Sequence, residues 1–132
     1  MKIVNGKLCF GFHELAWSAR TSGIKQYIFD KDGNILVEFE SSKKPFCVTL
    51  PEGSKYFLRR YWSNKGYPDH KLYMIDGDKL VLVASVTTMG FLIPKDMDVR
   101  DLPEKLVNFI LEDTSQHNIV KVDWLPIVAT DK

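Results

Sequence analysis

LYMIDGDKLVLVASV, residues Leu72 to Val86, decides the fold. Asp76-Gly77 favours the positive φ angles of a tight reversal, and an apolar run lies on each side of it. The stretch therefore spells two antiparallel strands, Lys71 to Ile75 and Lys79 to Thr87. The second run is almost wholly apolar, as a strand buried on both faces would be, and belongs in the middle of a sheet.

The same punctuation occurs twice upstream. KIVNGKLCFGF (Lys2 to Phe12) and QYIFDKDGNILVEFE (Gln26 to Glu40) each place Asn-Gly or Asp-Gly between strand-like runs. Strands are expected over Ile24 to Asp30 and Asn34 to Glu40, with a short one at Phe46 to Leu50. Met89 to Ile93 is expected to continue the apolar strand beyond a bend at Gly90. HELAWSARTSG (His13 to Gly23) fits a short helix or a half-buried strand equally well. A helix is predicted from about Leu102 to Asp113, with Asp101 as cap, Glu104 completing a capping box and Pro103 in the first turn. Asn118 to Trp124 is expected as a last strand. The expected architecture is α+β, an antiparallel sheet of about six to eight strands built from hairpins with one principal C-terminal helix packed on it. Residues 1–132 are expected to form a single domain.

Hydrophobic residues at 45% and charged residues at 27% are those of a folded chain rather than a disordered one. A net charge of +1 excludes polyanion binding by the field of the whole molecule. The most apolar segment, Leu80 to Ile93, is too short and too polar to span a bilayer, so no membrane is expected. No secretory signal opens the chain, which leaves cytoplasmic residence as the expectation. Cys9 and Cys47 lie among apolar residues and are expected as buried free thiols, the alternative being one disulfide that pins two strands.

Charge and aromatic residues concentrate in one place, SKYFLRRYWSNKGYPDHKLY (Ser54 to Tyr73). Six aromatics and five cations against the single Asp69 give a local charge of +4 in a chain whose total is +1. Lys55 to Trp62 is read as a strand in preference to a helix, and Asn64 to Asp69 as a loop. Arg59, Arg60, Tyr61, Trp62, Lys65 and Tyr67 are the candidate partner-binding residues. Tyrosine, tryptophan and arginine are the residues enriched at interface hot spots, so a protein partner is the leading expectation, for a small non-enzymatic inhibitor, immunity or accessory protein. A single-stranded nucleic acid is the alternative, with cations on phosphates and rings stacked on bases. A structural role, with part of the stretch feeding the core, competes with both.

Other constellations carry less. Asp30 to Asn34 begins like a calcium loop, but Ile35 and Ser41 stand where that loop needs glycine and glutamate, so a plain turn is expected. Asp96, Asp98 and Asp101 fit the acidic start of a helix better than a metal site. His13, His70 and His117 show no ligand spacing, and zinc would need Cys9, His13, Cys47 and His70 gathered by the fold. No nucleophile motif and no phosphate loop occurs, and no cofactor is implied. The one enzymatic possibility is acid/base chemistry at His70.

Overall fold

The computed structural model of the chain describes residues 1–115, 118–123 and 128–129. In chain order the strands are β1 (Lys2–Val4), β2 (Lys7–Phe10), β3 (Lys25–Phe29), β4 (Ile35–Glu40), β5 (Phe46–Thr49), β6 (Tyr56–Arg59), β7 (His70–Asp76), β8 (Lys79–Thr87) and β9 (Gly90–Pro94). Helix α1 (Glu104–Thr114), β10 (Ile119–Val122) and β11 (Val128–Ala129) follow. The expected α+β class is correct. A large sheet runs in the order β10-β9-β8-β7-β6-β3-β4, with β11 paired to β8, and a small one in the order β1-β2-β5.

Period-two alternation sends consecutive residues to opposite faces. Phe29, Leu58 and Leu72 meet Leu106 and Ile110 of α1, whereas their neighbours Ile28, Phe57 and Tyr73 meet Leu8 and Phe10 of the small sheet. The large sheet is thus the middle of three layers and has a core on each side. That is why β6 is buried at Tyr56, Phe57 and Leu58 in succession.

All three hairpins form where the turn dipeptides predict them. Asn5 and Gly6 both hold positive φ, 49° and 74°, the requirement of a two-residue reversal. β8 lies inside the sheet, but β7 occupies its centre. Local expectations fail at three places, and one strand pair departs from the otherwise antiparallel pattern. Residues 11–24 form neither helix nor strand but a chain of turns and bends. Met89 to Ile93 does not continue β8, because the chain reverses at Gly90, where φ is 118°, and β9 returns antiparallel with Thr87 opposite Gly90. β10 runs parallel to β9, since α1 carries the chain back to the start of that strand, so the sheet is not purely antiparallel. Asp101 does not cap α1. It closes a capping box with Asp98 around a 3-10 turn, Val99–Asp101, and α1 starts later, behind Pro103 and without a side-chain cap.

Cys9 and Cys47 are joined in a disulfide, correcting the expectation of free, buried thiols. Antiparallel pairing of β2 with β5 sets the two residues directly opposite each other, 4.1 Å apart at Cα. Alternation turns Leu8 and Phe10 inward, leaving Cys9 half-buried and Cys47 exposed on the outer face. Among the described residues no helix is long and apolar enough to cross a membrane.

Candidate binding surface

The basic-aromatic stretch emerges at the end of the sheet where β6 stops and β7 begins. Arg59 stands opposite Lys71, and His70 opposite Val86 of β8. Beyond the strands the two flanking segments stay paired up to the loop. Tyr61 C=O accepts the Asp69 N–H at 2.8 Å, and Trp62 forms a bridge with Pro68. The six candidate residues are therefore divided between two faces instead of forming one surface.

Arg59 and Tyr61 share the face turned away from α1, with the guanidinium carbon 5.3 Å from the ring centroid. Lys71 is on that face too, its ammonium 3.5 Å from the Asp69 carboxylate. Arg60, Trp62 and His70 point to the helix side. The Arg60 Nε and Nη2 donate to both oxygens of Asp113, at 2.9 and 2.8 Å, and Nη1 donates to the Lys25 carbonyl at 2.8 Å. Gln26 holds the Arg60 backbone, donating to its carbonyl at 2.8 Å and accepting from its N–H. Arg60 also lies 5.6 Å above the Tyr27 ring. With its side chain only 14% exposed, Arg60 is a strut between sheet and helix and is not presented to a partner.

Burial pushes the Asp113 carboxyl up, but the neighbouring His70 and the Arg60 fork outweigh it and hold the pKa below the usual aspartate value. His70 itself has no exposed surface. Its Nδ1 accepts the Tyr61 N–H at 3.1 Å, Trp62 meets its ring edge-on at 4.7 Å, and Asp113 Oδ2 lies 3.5 Å from Nε2. With no exposed surface, the imidazole offers no contact to a substrate in this conformation.

The outer part is the loop Ser63 to Tyr67. It is pinned by the Ser63 N–H to the Tyr67 carbonyl at 2.8 Å, by the Gly66 N–H to the Ser63 carbonyl at 2.9 Å, and by Tyr67 N–H to Ser63 Oγ at 3.1 Å. Lys65 is exposed and Tyr67 is 53% exposed at its tip. Four neighbours in two places escaped the sequence reading. Arg20, Thr21 and Ile24 line a cleft of about 200 Å³ together with Trp62, Ser63 and Asn64. Met89, 72% exposed, caps the turn that follows β8 at this same end of the sheet. Nothing in local sequence ties either to residues 59–67: strand register places Met89, and packing of the 11–24 segment places Arg20, Thr21 and Ile24.

The weaker candidates are explained by structure. Asp30 accepts the N–H groups of Asp32 and Asn34, both at 2.9 Å, which lowers its pKa and makes it a turn residue. Asp98 is held at about 2, chiefly by hydrogen bonding to Arg100. Cys9 and Cys47 bind each other, and His117 lies outside the described residues. Among the described residues no group of three or more His, Cys, Asp or Glu side chains is arranged to hold a metal.

Fold and surface together define a three-layer α+β protein with a braced loop platform at one end of its sheet. No protein-family model matches the chain, and neither does any curated protein or solved structure against which it was compared.

Proposed function

We propose that this chain is a non-enzymatic binding protein of the inhibitor, immunity or accessory type. It engages a protein partner through Arg59, Tyr61, Lys65 and Tyr67, with Trp62 behind them against His70. The observation that carries this reading is the exposed tip of Lys65 and Tyr67, held on a hydrogen-bonded loop beside the Arg59–Tyr61 stack. A rigid tyrosine loses little entropy on docking, and Tyr, Trp, Arg and Met are the side chains that interfaces favour. Arg60 supports the platform and is left out of the contact set.

A single-stranded nucleic acid is a poorer fit to the same surface. One face of Tyr61 is already covered by Arg59, and Lys71 is partly neutralised by Asp69, which removes a stacking face and a phosphate contact. Burial of His70 likewise favours a structural over an acid/base role. The expected cytoplasmic setting and the exposed disulfide pull in opposite directions, because cytosolic thiols are kept reduced. Alkylation of Cys9 and Cys47 at the moment of cell lysis decides between them.

The test is cross-linking in extract of the source cells, wild type against Arg59→Glu/Lys65→Glu, with folding checked by circular dichroism. Partners cross-linked to the wild type should be lost from the double variant. An unchanged set of partners overturns the proposed surface, and retention of a labelled thymidine oligonucleotide with steep salt dependence favours the nucleic-acid reading.

A further inference from the structure

We propose that His70 is a pH-sensitive latch for the loop that carries the binding surface. The consequence for a partner rests on the surface reading above; the latch itself does not. Because Nδ1 accepts the Tyr61 N–H at 3.1 Å, the ring in this structure is the neutral tautomer with its proton on Nε2. That second nitrogen is the one buried side-chain polar atom among the described residues that has no hydrogen-bond partner. Asp113 Oδ2, at 3.5 Å, is its nearest charged neighbour, and both Asp113 oxygens are already bound by Arg60.

Among the described residues the charged groups recorded around the ring are few. α1 contributes Asp113, and the chain after β6 contributes Arg60, locked to that aspartate. β8 contributes Val86 opposite His70, which does not titrate, and the chain neighbours Asp69 and Lys71 pair with each other on the other face of the sheet.

A second proton on this imidazole must go to Nδ1. There it meets the Tyr61 N–H, donor against donor across 3.1 Å, while the new positive charge draws the ring toward Asp113. Both effects act in one direction: they detach Tyr61 from His70. Tyr61 is the root of the loop, since its carbonyl holds Asp69, and Trp62 rests edge-on against the same ring. Protonation of the ring is therefore the trigger, and acid supplies it. Acidification then loosens residues 61–69 and disperses Tyr61, Trp62, Lys65 and Tyr67, while the cores on either side of the sheet stay intact.

The experiment is an NMR titration of the full chain, without any partner, from pH 8 to pH 5. It follows the His70 ring nitrogens and the hydrogen exchange of backbone amides, corrected for intrinsic rates. The expected result is that His70 passes from the neutral tautomer to the charged form while the Tyr61 and loop amides lose at least about tenfold in protection. Amides of Tyr73 and Leu82 should keep theirs, and His70→Gln should abolish the pH dependence in the loop. A His70 that stays neutral to pH 5 overturns the latch, as does one that becomes charged without loss of Tyr61 protection. If His70→Gln does not fold, Asp113→Asn serves instead: removing the carboxylate should move the His70 transition and the loop transition together to lower pH. Separation of the two overturns the proposal. Since no partner is involved, failure here leaves the binding surface standing, and failure of Arg59→Glu/Lys65→Glu leaves the latch standing.

Discussion

The turn from Asp30 to Asn34 is a hairpin corner in the sequence, and its Gly33 has a second duty that only packing reveals. At φ +86° a Cβ on Gly33 would lie 2.9 Å from the Leu106 nitrogen and 3.0 Å from Pro103 Cβ, at the start of α1. Gly33→Ala combines a left-handed residue with overpacking and should cost roughly 2–4 kcal/mol, read as a lower urea midpoint at unchanged m-value. The adjacent arginines should separate just as clearly. Arg60→Ala removes the fork from the part-buried Asp113 and should cost on the order of 2–3 kcal/mol, less than the full price of a completely buried pair. Arg59→Ala, on the open face, should stay within about 0.5 kcal/mol. Equal losses in urea unfolding would refute the division of the stretch between two faces. Sequence composition marked these arginines as equivalent; strand alternation makes them opposites.

Helix and strands depend on links that local sequence signals do not show. α1 has no side-chain cap at its start, and its last turn is tied to the sheet through Asp113. Because the Asp113 pKa is lowered on folding, its contribution to stability is complete above the unfolded aspartate value of about 4 and is lost as pH falls through the folded value. Wild type should therefore lose stability below about pH 4 more steeply than Asp113→Asn, measured by urea midpoints from pH 5 to pH 2. A parallel slope would rule out this tie as the cause. The small sheet has its own fastener. The disulfide spans a separation of 38 residues, and the chain-entropy account gives it about 4 kcal/mol, with 2–4 kcal/mol typical. Cys9→Ser/Cys47→Ser should lower the urea midpoint accordingly, and a variant as stable as wild type would mean that the small sheet holds without its cross-link.

Acids and bases occur at both ends of the large sheet, with Lys31 and Lys79 among the aspartates of one end and Glu40, Asp69 and Asp113 among the cations of the other. With a net charge of +1 the molecule as a whole supplies little long-range attraction. With a protein partner, the dissociation constant should change by less than roughly tenfold between 50 and 300 mM salt, because an aromatic centre is insensitive to screening. Isothermal titration across that range checks it. A log-linear fall spanning several orders of magnitude would mark phosphate contacts instead.

What the sequence determined by itself was local: three hairpins from three turn dipeptides, a β8 apolar enough to be buried on both faces, and one amphipathic helix. Each rests on forces acting within a few residues, namely turn dihedrals and side-chain direction. The tertiary structure alone decided which strands became neighbours, and everything non-local followed from that. Register set Cys47 opposite Cys9 on the outer face, although their apolar surroundings suggested buried thiols. Packing of the turn segment 11–24 brought Arg20 to Trp62, and packing of α1 on the sheet gave Arg60 to Asp113 across 53 residues. Composition could locate the basic-aromatic stretch, but pairing partners and faces depend on contacts between segments distant in the chain, and those are fixed only when the layers close.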